Sequence, residues 1–328
     1  MSRPERWAVR TRSSILAWLP VRQSAEPRAW LGYLPATAFL VLAVAAAISS
    51  DAFLSPGNLS NLLRQIVTNG LISLGMLGVI LTGGIDLSVG SIVALSGIVV
   101  AGMQGILPWP LAIAVALAVA ATAGMANGLL VAVLRLPPFI ATLATLSAIR
   151  GVVYIVSETP IVPSDPTLRG IVASTIGPVP TVALLMLACF GLMSIFMNRT
   201  SAGRTVLAIG GNQEAVRLAG INVRNHVLFA YVLCGTLAGL AGVILSSRVG
   251  IAQPSVGIGL ELDAIAACVI GGAVLGGGGG TVRGTFAGVL LLGLISNLLN
   301  LFNVQSYYQQ VVKGALIVFA VIARGRDR

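Results

Sequence analysis

The sequence predicts an all-α polytopic membrane protein with about ten transmembrane helices and both termini in the cytosol. Of its 328 residues, 56% are hydrophobic and only 9% are charged, whereas a soluble domain carries about 25% charged residues. Apolar runs long enough to cross a bilayer recur along the chain. The 39 glycines suit helices whose backbones approach closely in lipid. We therefore expect lipid to surround most of the protein.

The arginine-rich residues 1–30 are expected to form a cytosolic N-terminal tail. Their apolar stretch is too short and too interrupted by proline to be a cleavable signal peptide. A short interfacial helix is expected around Trp18. The transmembrane domain is then expected over residues 31–325, and residues 326–328 form a C-terminal tail.

Ten apolar runs are the candidate transmembrane helices. If the N-terminus is cytosolic, the loops that follow even-numbered runs are cytosolic too. These loops and the two tails hold most of the 20 basic residues, as the positive-inside rule requires. The runs lie near residues 33–49, 62–81, 86–104, 111–134, 138–156, 179–197, 226–247, 264–276, 284–302 and 307–323.

The fifth and sixth runs are joined by an extracytoplasmic loop over residues 157–180. This loop is too polar to span a bilayer, and its prolines exclude a long helix. Its position makes it a surface that an external partner could contact.

Two glycine-rich segments, residues 81–91 and 275–285, interrupt the apolar pattern. The run before the second segment, residues 264–276, is short for a full crossing. Broken or re-entrant helices are therefore expected at the glycine-rich segments, where non-helical backbone must be buried in protein or line a cavity.

The two glycine-rich segments align with each other, which suggests a duplicated helix–break–helix unit. Glycine absorbs dihedral changes at little steric cost, so each break is a candidate hinge; close helix packing is the alternative explanation. The glycines of the two segments and the polar residues inside the runs are the candidates for a gate, a hinge or the pathway. They are Gly83, Gly84, Asp86, Gly90, Asn127, Gly277, Gly284 and Asn297.

The loop of residues 198–224 is basic and lies between apolar runs, so it belongs in the cytosol. Asn212 can cap a short helix over Gln213–Ala219, and Gly220 can end it. Such a helix is too short to span anything and is suited to docking in a groove of a soluble partner. The residues expected to make this contact are Asn212, Gln213, Glu214, Ala215, Arg217 and Gly220.

Residues for catalysis or metal binding are scarce. The single lysine, Lys313, precedes glycine, so the chain has no Walker A phosphate loop. His226 is the only histidine, which excludes a zinc site built from paired histidines. The three cysteines lie in apolar runs without metal-site spacing. We expect neither an enzyme nor a resident metal or cofactor.

Charged groups within the runs are also few. Asp86 and Asp263 lie where helices are expected to begin, so each is either a helix cap or part of a gate or pathway. Glu158 and Glu261 lie near run ends, and no acid is expected at the centre of a span. This pattern disfavours an ion-coupled carrier, which usually binds its ion near the midplane. Sparse aromatic residues indicate that substrate recognition lies outside this chain.

Four segments resemble the permease subunits of ABC importers for ribose and related monosaccharides, which are themselves similar to branched-chain amino acid permeases. The resemblance extends over about residues 33–323. The segments are GGIDLSVGSIVAL (83–95), NGLLVAVLRLPPFIATLATLSAIRG (127–151), GGNQEAVRLAGINV (210–223) and ELDAIAACVIGGAVLGGGGGTVRGTFAG (261–288).

The resemblance implies a non-catalytic subunit of the bacterial cytoplasmic membrane that pairs with a second copy or a paralogue. A cytosolic ATPase partner would bind ATP and magnesium, and an extracytoplasmic sugar-binding protein would deliver the substrate; no nucleic acid is implied. The spacing of Glu214, Ala215 and Gly220 is similar to the EAA-type coupling loop of such permeases, although Val216 replaces the second alanine.

Several alternatives stay open at this point. The solute could instead be an autoinducer-type sugar, a nucleoside or a branched-chain amino acid. An ion-coupled secondary carrier and a structural membrane scaffold are the competing classes. The sequence decides neither the sugar nor whether the permease is a homodimer or a heterodimer.

Overall fold

A computed structural model describes residues 34–325 as a helical protein. The expected tails, with the helix around Trp18, lie outside this range. The helices are α1 (Leu34–Ser49), α2 (Pro56–Leu81), α3 (Val89–Met103), α4 (Trp109–Ala132), α5 (Pro138–Val156), α6 (Thr167–Ala173), α7 (Thr181–Arg199), α8 (Ser201–Gly211), α9 (Gln213–Leu218), α10 (Val223–Val249), α11 (Leu260–Ile270), α12 (Val282–Leu301) and α13 (Ser306–Gly325). The strands β1 (Thr175–Ile176) and β2 (Val179–Pro180) form an antiparallel pair.

Each of the ten apolar runs overlaps a helix, and the eighth overlaps its helix only in part. Among the described residues, six helices are long and apolar enough to cross a membrane, namely α2, α4, α5, α7, α10 and α12. The helices α1 and α3 are apolar but shorter. The chain is thus a polytopic helical membrane protein, and the number of ten crossings stays a prediction.

The centre of the fold is α10, which packs against α2, α3 and α4. These helices approach closely because glycine occupies the contact points. Gly242 of α10 lies against the backbone of Val93 in α3, and Gly235 lies against Gly124 of α4. A side chain at any of these glycines would separate the helices, so much of the glycine content serves packing.

The loop of residues 157–180 contains the short helix α6 and the β1–β2 hairpin, which turns at Gly177 with φ of 60°. An isolated antiparallel bridge joins Ile161 of this loop to Ala252. The loop is therefore anchored to the chain that follows α10.

The structure corrects the expected position of the eighth span. The helix α11 covers Leu260–Ile270, whereas the apolar run was placed at residues 264–276. After Ile270 the chain forms turns in which Gly272 and Gly277 have φ of 108° and 92°, a conformation that only glycine adopts readily. The helix consequently begins four residues earlier and ends six residues earlier than the run.

Candidate functional site

The short helix α9 matches the sequence prediction closely. The Asn212 side chain accepts a hydrogen bond from the Ala215 amide at 2.9 Å and so caps the helix. Gly220 follows the helix with φ of 79°, the left-handed conformation typical of a helix end. The helix body is Gln213–Leu218, with Ala219 as its C-cap. Both of its ends are therefore fixed by local sequence.

The outer surface of α9 combines charge with one apolar side chain. Glu214 and Arg217 form an ion pair at 2.6 Å, and both side chains are largely exposed. Leu218 is 73% exposed, whereas Val216 is only 8% exposed and packs in the core. The valine that departs from the EAA pattern thus faces the protein and leaves the outer surface unchanged.

The ion pair also fixes the charge state of this surface. The hydrogen bond from Arg217 is the main cause that lowers the pKa of the Glu214 carboxyl, and it raises the pKa of the Arg217 guanidinium. Both groups therefore remain ionised around neutral pH.

The sequence analysis missed α8, which precedes α9. Thr200 caps α8 by accepting a hydrogen bond from the Gly203 amide at 3.0 Å. Gly203, Val206 and Ile209 form its buried face. The capping threonine and this three-residue spacing were readable in the sequence. Asn212 is both the C-cap of α8 and the N-cap of α9, so one residue joins the two helices.

The end of α8 meets both glycine-rich breaks. A Cβ atom on Gly210 would collide with the Leu81 carbonyl oxygen and with the backbone of Gly277 and Gly278. The Gly278 amide donates a hydrogen bond to the Leu81 carbonyl at 3.1 Å, and Gly277 also packs against Gly83. We call this contact the glycine junction (Leu81, Gly83, Gly210, Gly277 and Gly278). It brings the predicted hinge residue Gly277 into contact with the loop of residues 198–224 and with a second predicted hinge residue, Gly83.

The predicted residues Asp86 and Asn127 lie together in a buried polar cluster at the start of α3. The Asp86 carboxyl accepts hydrogen bonds from the Ser88 amide at 2.9 Å, the Ser88 hydroxyl at 2.7 Å and the Asn127 amide at 3.1 Å. Thr145 of α5 donates to the Asn127 side-chain oxygen at 2.6 Å. This arrangement favours the structural interpretation, in which Asp86 secures the turn before α3.

The other predicted pathway residues are dispersed. Gly84 packs against the hydroxyl of Tyr231, Gly90 lies against Gly257, and Gly284 lies against Gly271. Asn297 of α12 exchanges hydrogen bonds with Asn58 of α2 at 2.8 and 3.1 Å, which joins these helices away from the glycine junction.

Asp263 differs from the expected helix cap. Its carboxylate accepts a hydrogen bond from Lys313 at 2.7 Å, and this ion pair joins α11 to α13. The two residues are far apart in sequence, so no spacing signal could have identified the pair.

Asp86 and Glu261 lie at two helix starts that pack against each other. Asp86 precedes α3 and Glu261 lies in the first turn of α11, and these two helix starts approach each other where Gly90 meets Gly257. Asp86 is fully buried there, whereas Glu261 is partly exposed.

No group of three or more His, Cys, Asp or Glu side chains that could hold a metal ion occurs within residues 34–325.

Comparison with known proteins identifies close relatives along nearly the whole chain. Residues 58–321 match the family model described as branched-chain amino acid transport system / permease component. The ribose import permease protein RbsC of Bacillus subtilis (strain 168) is 44% identical over 88% of this chain and 91% of its own length. RbsC of Escherichia coli (strain K12) is 42% identical over 89% and 92% of the two chains. The L-arabinose transport system permease protein AraH of Escherichia coli (strain K12) is 36% identical over 90% of each chain. No solved structure matches the chain significantly.

Proposed function

Because the chain belongs to the branched-chain amino acid transport system / permease component family, we propose that it is the permease subunit of a monosaccharide ABC importer in the bacterial cytoplasmic membrane. The observation that carries this proposal is the α8–α9 loop. It presents a capped docking helix to the cytosol and lies directly against the breaks of two spans. A secondary carrier has no need of such a loop.

The substrate class follows from the relatives. Their names specify ribose, allose and arabinose, which are aldoses of five or six carbons. An aldose of this size is the proposed cargo, and the higher identity to the ribose permeases makes ribose the first sugar to test.

The proposed assembly needs three partners. A second permease copy or a paralogue completes the pathway, and a sugar-binding protein docks on the extracytoplasmic loop of residues 157–180. A cytosolic ATPase holds ATP and Mg²⁺ and engages α9. The chain itself holds no cofactor and performs no catalysis.

The proposed topology has ten crossings with both termini in the cytosol. The crossings are α1 to α5, α7, α10, the chain from residue 251 to the end of α11, α12 and α13. This arrangement leaves the loop of residues 198–224 in the cytosol, where its arginines satisfy the positive-inside rule.

The proposed mechanism transmits force through the glycine junction. Closure of the two ATPase domains displaces α9, and the single residue Asn212 passes this motion to α8. The end of α8 at Gly210 then displaces Leu81 at the end of α2 and the loop at Gly277 and Gly278. Since these segments precede α3 and α12, both helices change position together and access alternates across the membrane.

Reconstitution of the chain with its ATPase and binding protein in liposomes tests the proposal. Labelled sugars including ribose, xylose, galactose, rhamnose and an autoinducer-type sugar are added with and without ATP. We expect uptake of one aldose that requires ATP, the ATPase and the binding protein. Nucleotide hydrolysis by the isolated chain, or uptake by that chain under an ion gradient alone, would refute the proposal and favour the alternative classes.

A further inference from the structure

The chain between α10 and α11, residues 250–259, is non-helical and only partly covered by the rest of the described chain. Gln253, Ser255 and Ile258 are exposed, the last to 74%. The backbone N–H and C=O groups of Ser255 and Ile258 have no hydrogen-bond partner within residues 34–325, and neither does the Ser255 hydroxyl.

Contacts with α3 and α5 place this segment deep in the bundle. The Ser91 hydroxyl donates to the Leu146 carbonyl at 2.9 Å, and Leu146 lies ten residues, or about 15 Å, before the outer end of α5. Gly90, the neighbour of Ser91, lies against Gly257. Because the hydrocarbon core is about 30 Å thick, Gly257 lies near its middle.

A second contact confirms the inward course of the segment. The Arg150 guanidinium donates to the carbonyls of Pro254 and Val256 at 2.5 and 2.9 Å. Arg150 lies six residues, or about 9 Å, before the outer end of α5. The segment thus descends from Ala252, which pairs with the outer loop, past Arg150 to the middle of the bundle.

Lipid cannot surround such a segment. Unpaired backbone polar groups cost several kcal/mol in hydrocarbon, so non-helical backbone at this depth is tolerated only inside protein or beside water. The described residues leave Ser255 and Ile258 uncovered. Arginine in hydrocarbon is costly for the same reason, and Arg150 is only half-buried.

We propose that residues 251–259, with Arg150, line the outer half of a water-filled pathway for a polyhydroxylated solute. The unpaired backbone groups, Gln253 and Ser255 offer both donors and acceptors, which is the pattern that sugar hydroxyls require. Arg150 is a positioning residue that holds this backbone in place. In the proposed assembly this pathway lies between the chain and its second permease copy or paralogue. This inference rests on the proposed function, because it adopts that function's solute class.

Cysteine labelling of the assembled importer in nanodiscs tests the pathway. Ser255→Cys is compared with Leu192→Cys, an exposed position in the middle of α7, both in a Cys189→Ala background. The other cysteines, Cys234 and Cys268, are fully buried. Since only the hydrated thiolate reacts, we expect a charged methanethiosulfonate reagent to label Ser255→Cys at least about tenfold faster than Leu192→Cys. Equal or slower labelling of Ser255→Cys would overturn the proposal.

A second measurement distinguishes a transport pathway from a water-exposed surface that does not change during transport. The labelling rate of Ser255→Cys is compared between the nucleotide-free importer and the importer trapped with ATP and vanadate. We expect the rate to change severalfold, since alternating access opens and closes the outer half. An identical rate in both states would overturn the pathway assignment.

Sugar uptake in matched proteoliposomes keeps the two proposals distinguishable. Fast, state-dependent labelling without sugar uptake would refute the substrate assignment but support a water-filled pathway. ATP-driven sugar uptake with an unreactive Ser255→Cys would refute the lining segment and leave the proposed function standing.

Discussion

The two non-helical segments that lead into α3 and α11 differ in how their polar groups are paired. Residues 82–88 lead into α3, and residues 250–259 lead into α11. In the first segment, Asp86 and the Ile85 carbonyl receive hydrogen bonds from neighbouring helices, and Asp86 is fully buried. In the second, Ser255 has no partner within the described residues. We call the first segment sealed, because Asp86 is buried and paired, and the second open, because Ser255 is exposed and unpaired among the described residues.

A break in a helix can have two roles in a transporter, namely to transmit a displacement or to contact the solute. A sealed break transmits displacement, because its contacts are fixed and its backbone cannot adjust to solvent. An open break can contact a solute, because its polar groups are free. The glycine junction includes Gly83 of the first segment, and the proposed pathway includes the second segment.

The largest expected effect comes from breaking the sealed segment. Asp86→Ala leaves the donors of Ser88 and Asn127 unpaired in the protein interior, which we expect to destabilise the chain by about 2–4 kcal/mol. Ser255→Ala, in the open segment, should change stability by less than about 0.5 kcal/mol. Denaturation midpoints of the purified variants in detergent measure both. Equal losses would show that the two segments do not differ as described.

The glycine junction offers a matched pair of variants. A Cβ on Gly210 must displace the backbone of Leu81 and Gly278, whereas a Cβ on the adjacent Gly211 meets nothing within 4 Å. We expect Gly210→Ala to reduce ATP-driven uptake on the order of 100-fold, because small misplacements in a coupled site are costly. Gly211→Ala should stay within about twofold of the wild type.

For this pair, ATP hydrolysis and uptake are measured on the same proteoliposomes. Hydrolysis that continues in Gly210→Ala without uptake would show uncoupling. If Gly211→Ala loses as much uptake as Gly210→Ala, the junction does not transmit the motion.

A smaller effect is expected from the open segment. Arg150→Gln removes the charge that holds the Pro254 and Val256 carbonyls, and we expect uptake to fall about tenfold, equivalent to ~1.4 kcal/mol. Arg135→Gln, in the turn between α4 and α5, removes the same charge at an exposed position without a hydrogen bond to this segment and serves as the control. Initial uptake rates at saturating binding protein measure the difference. If Arg150→Gln transported at the wild-type rate, Arg150 would not be a positioning residue for this segment.

The smallest effect concerns pH and lies outside both segments. Arg217 lowers the pKa of Glu214 below its usual value of 4.5, so the carboxylate stays charged above that value and is lost only as pH falls through the lowered pKa. The ratio of Glu214→Gln uptake to wild-type uptake should therefore stay within about twofold between pH 7.5 and pH 5.5. If the wild-type uptake fell to that of Glu214→Gln as pH decreased within this range, the Glu214 carboxyl would be gaining a proton there, which would contradict the lowered pKa.

Local and long-range causes explain which features the sequence could predict. The bounds of α9 were predictable because Asn212 and Gly220 act within one turn of the helix. The ten apolar runs overlap helices because hydrophobic length is also a local property. The inward course of residues 250–259 was missed, since it depends on Arg150, about a hundred residues earlier.

The glycine junction illustrates the same limit. Both breaks were recognised as candidate hinges from their composition, but their contact with Gly210 arises only when α2, α8 and α11 fold together. The pair of Asp263 and Lys313 was unpredictable for the same reason.

The joint between α8 and α9 is a single residue whose backbone belongs to both helix ends. With one residue between them, we expect the two helices to move together, so that a rotation of α9 is passed to α8. If a few flexible residues were inserted between α8 and α9, we expect α9 to move without displacing α8. The ATPase would then hydrolyse ATP while the transmembrane helices kept their positions.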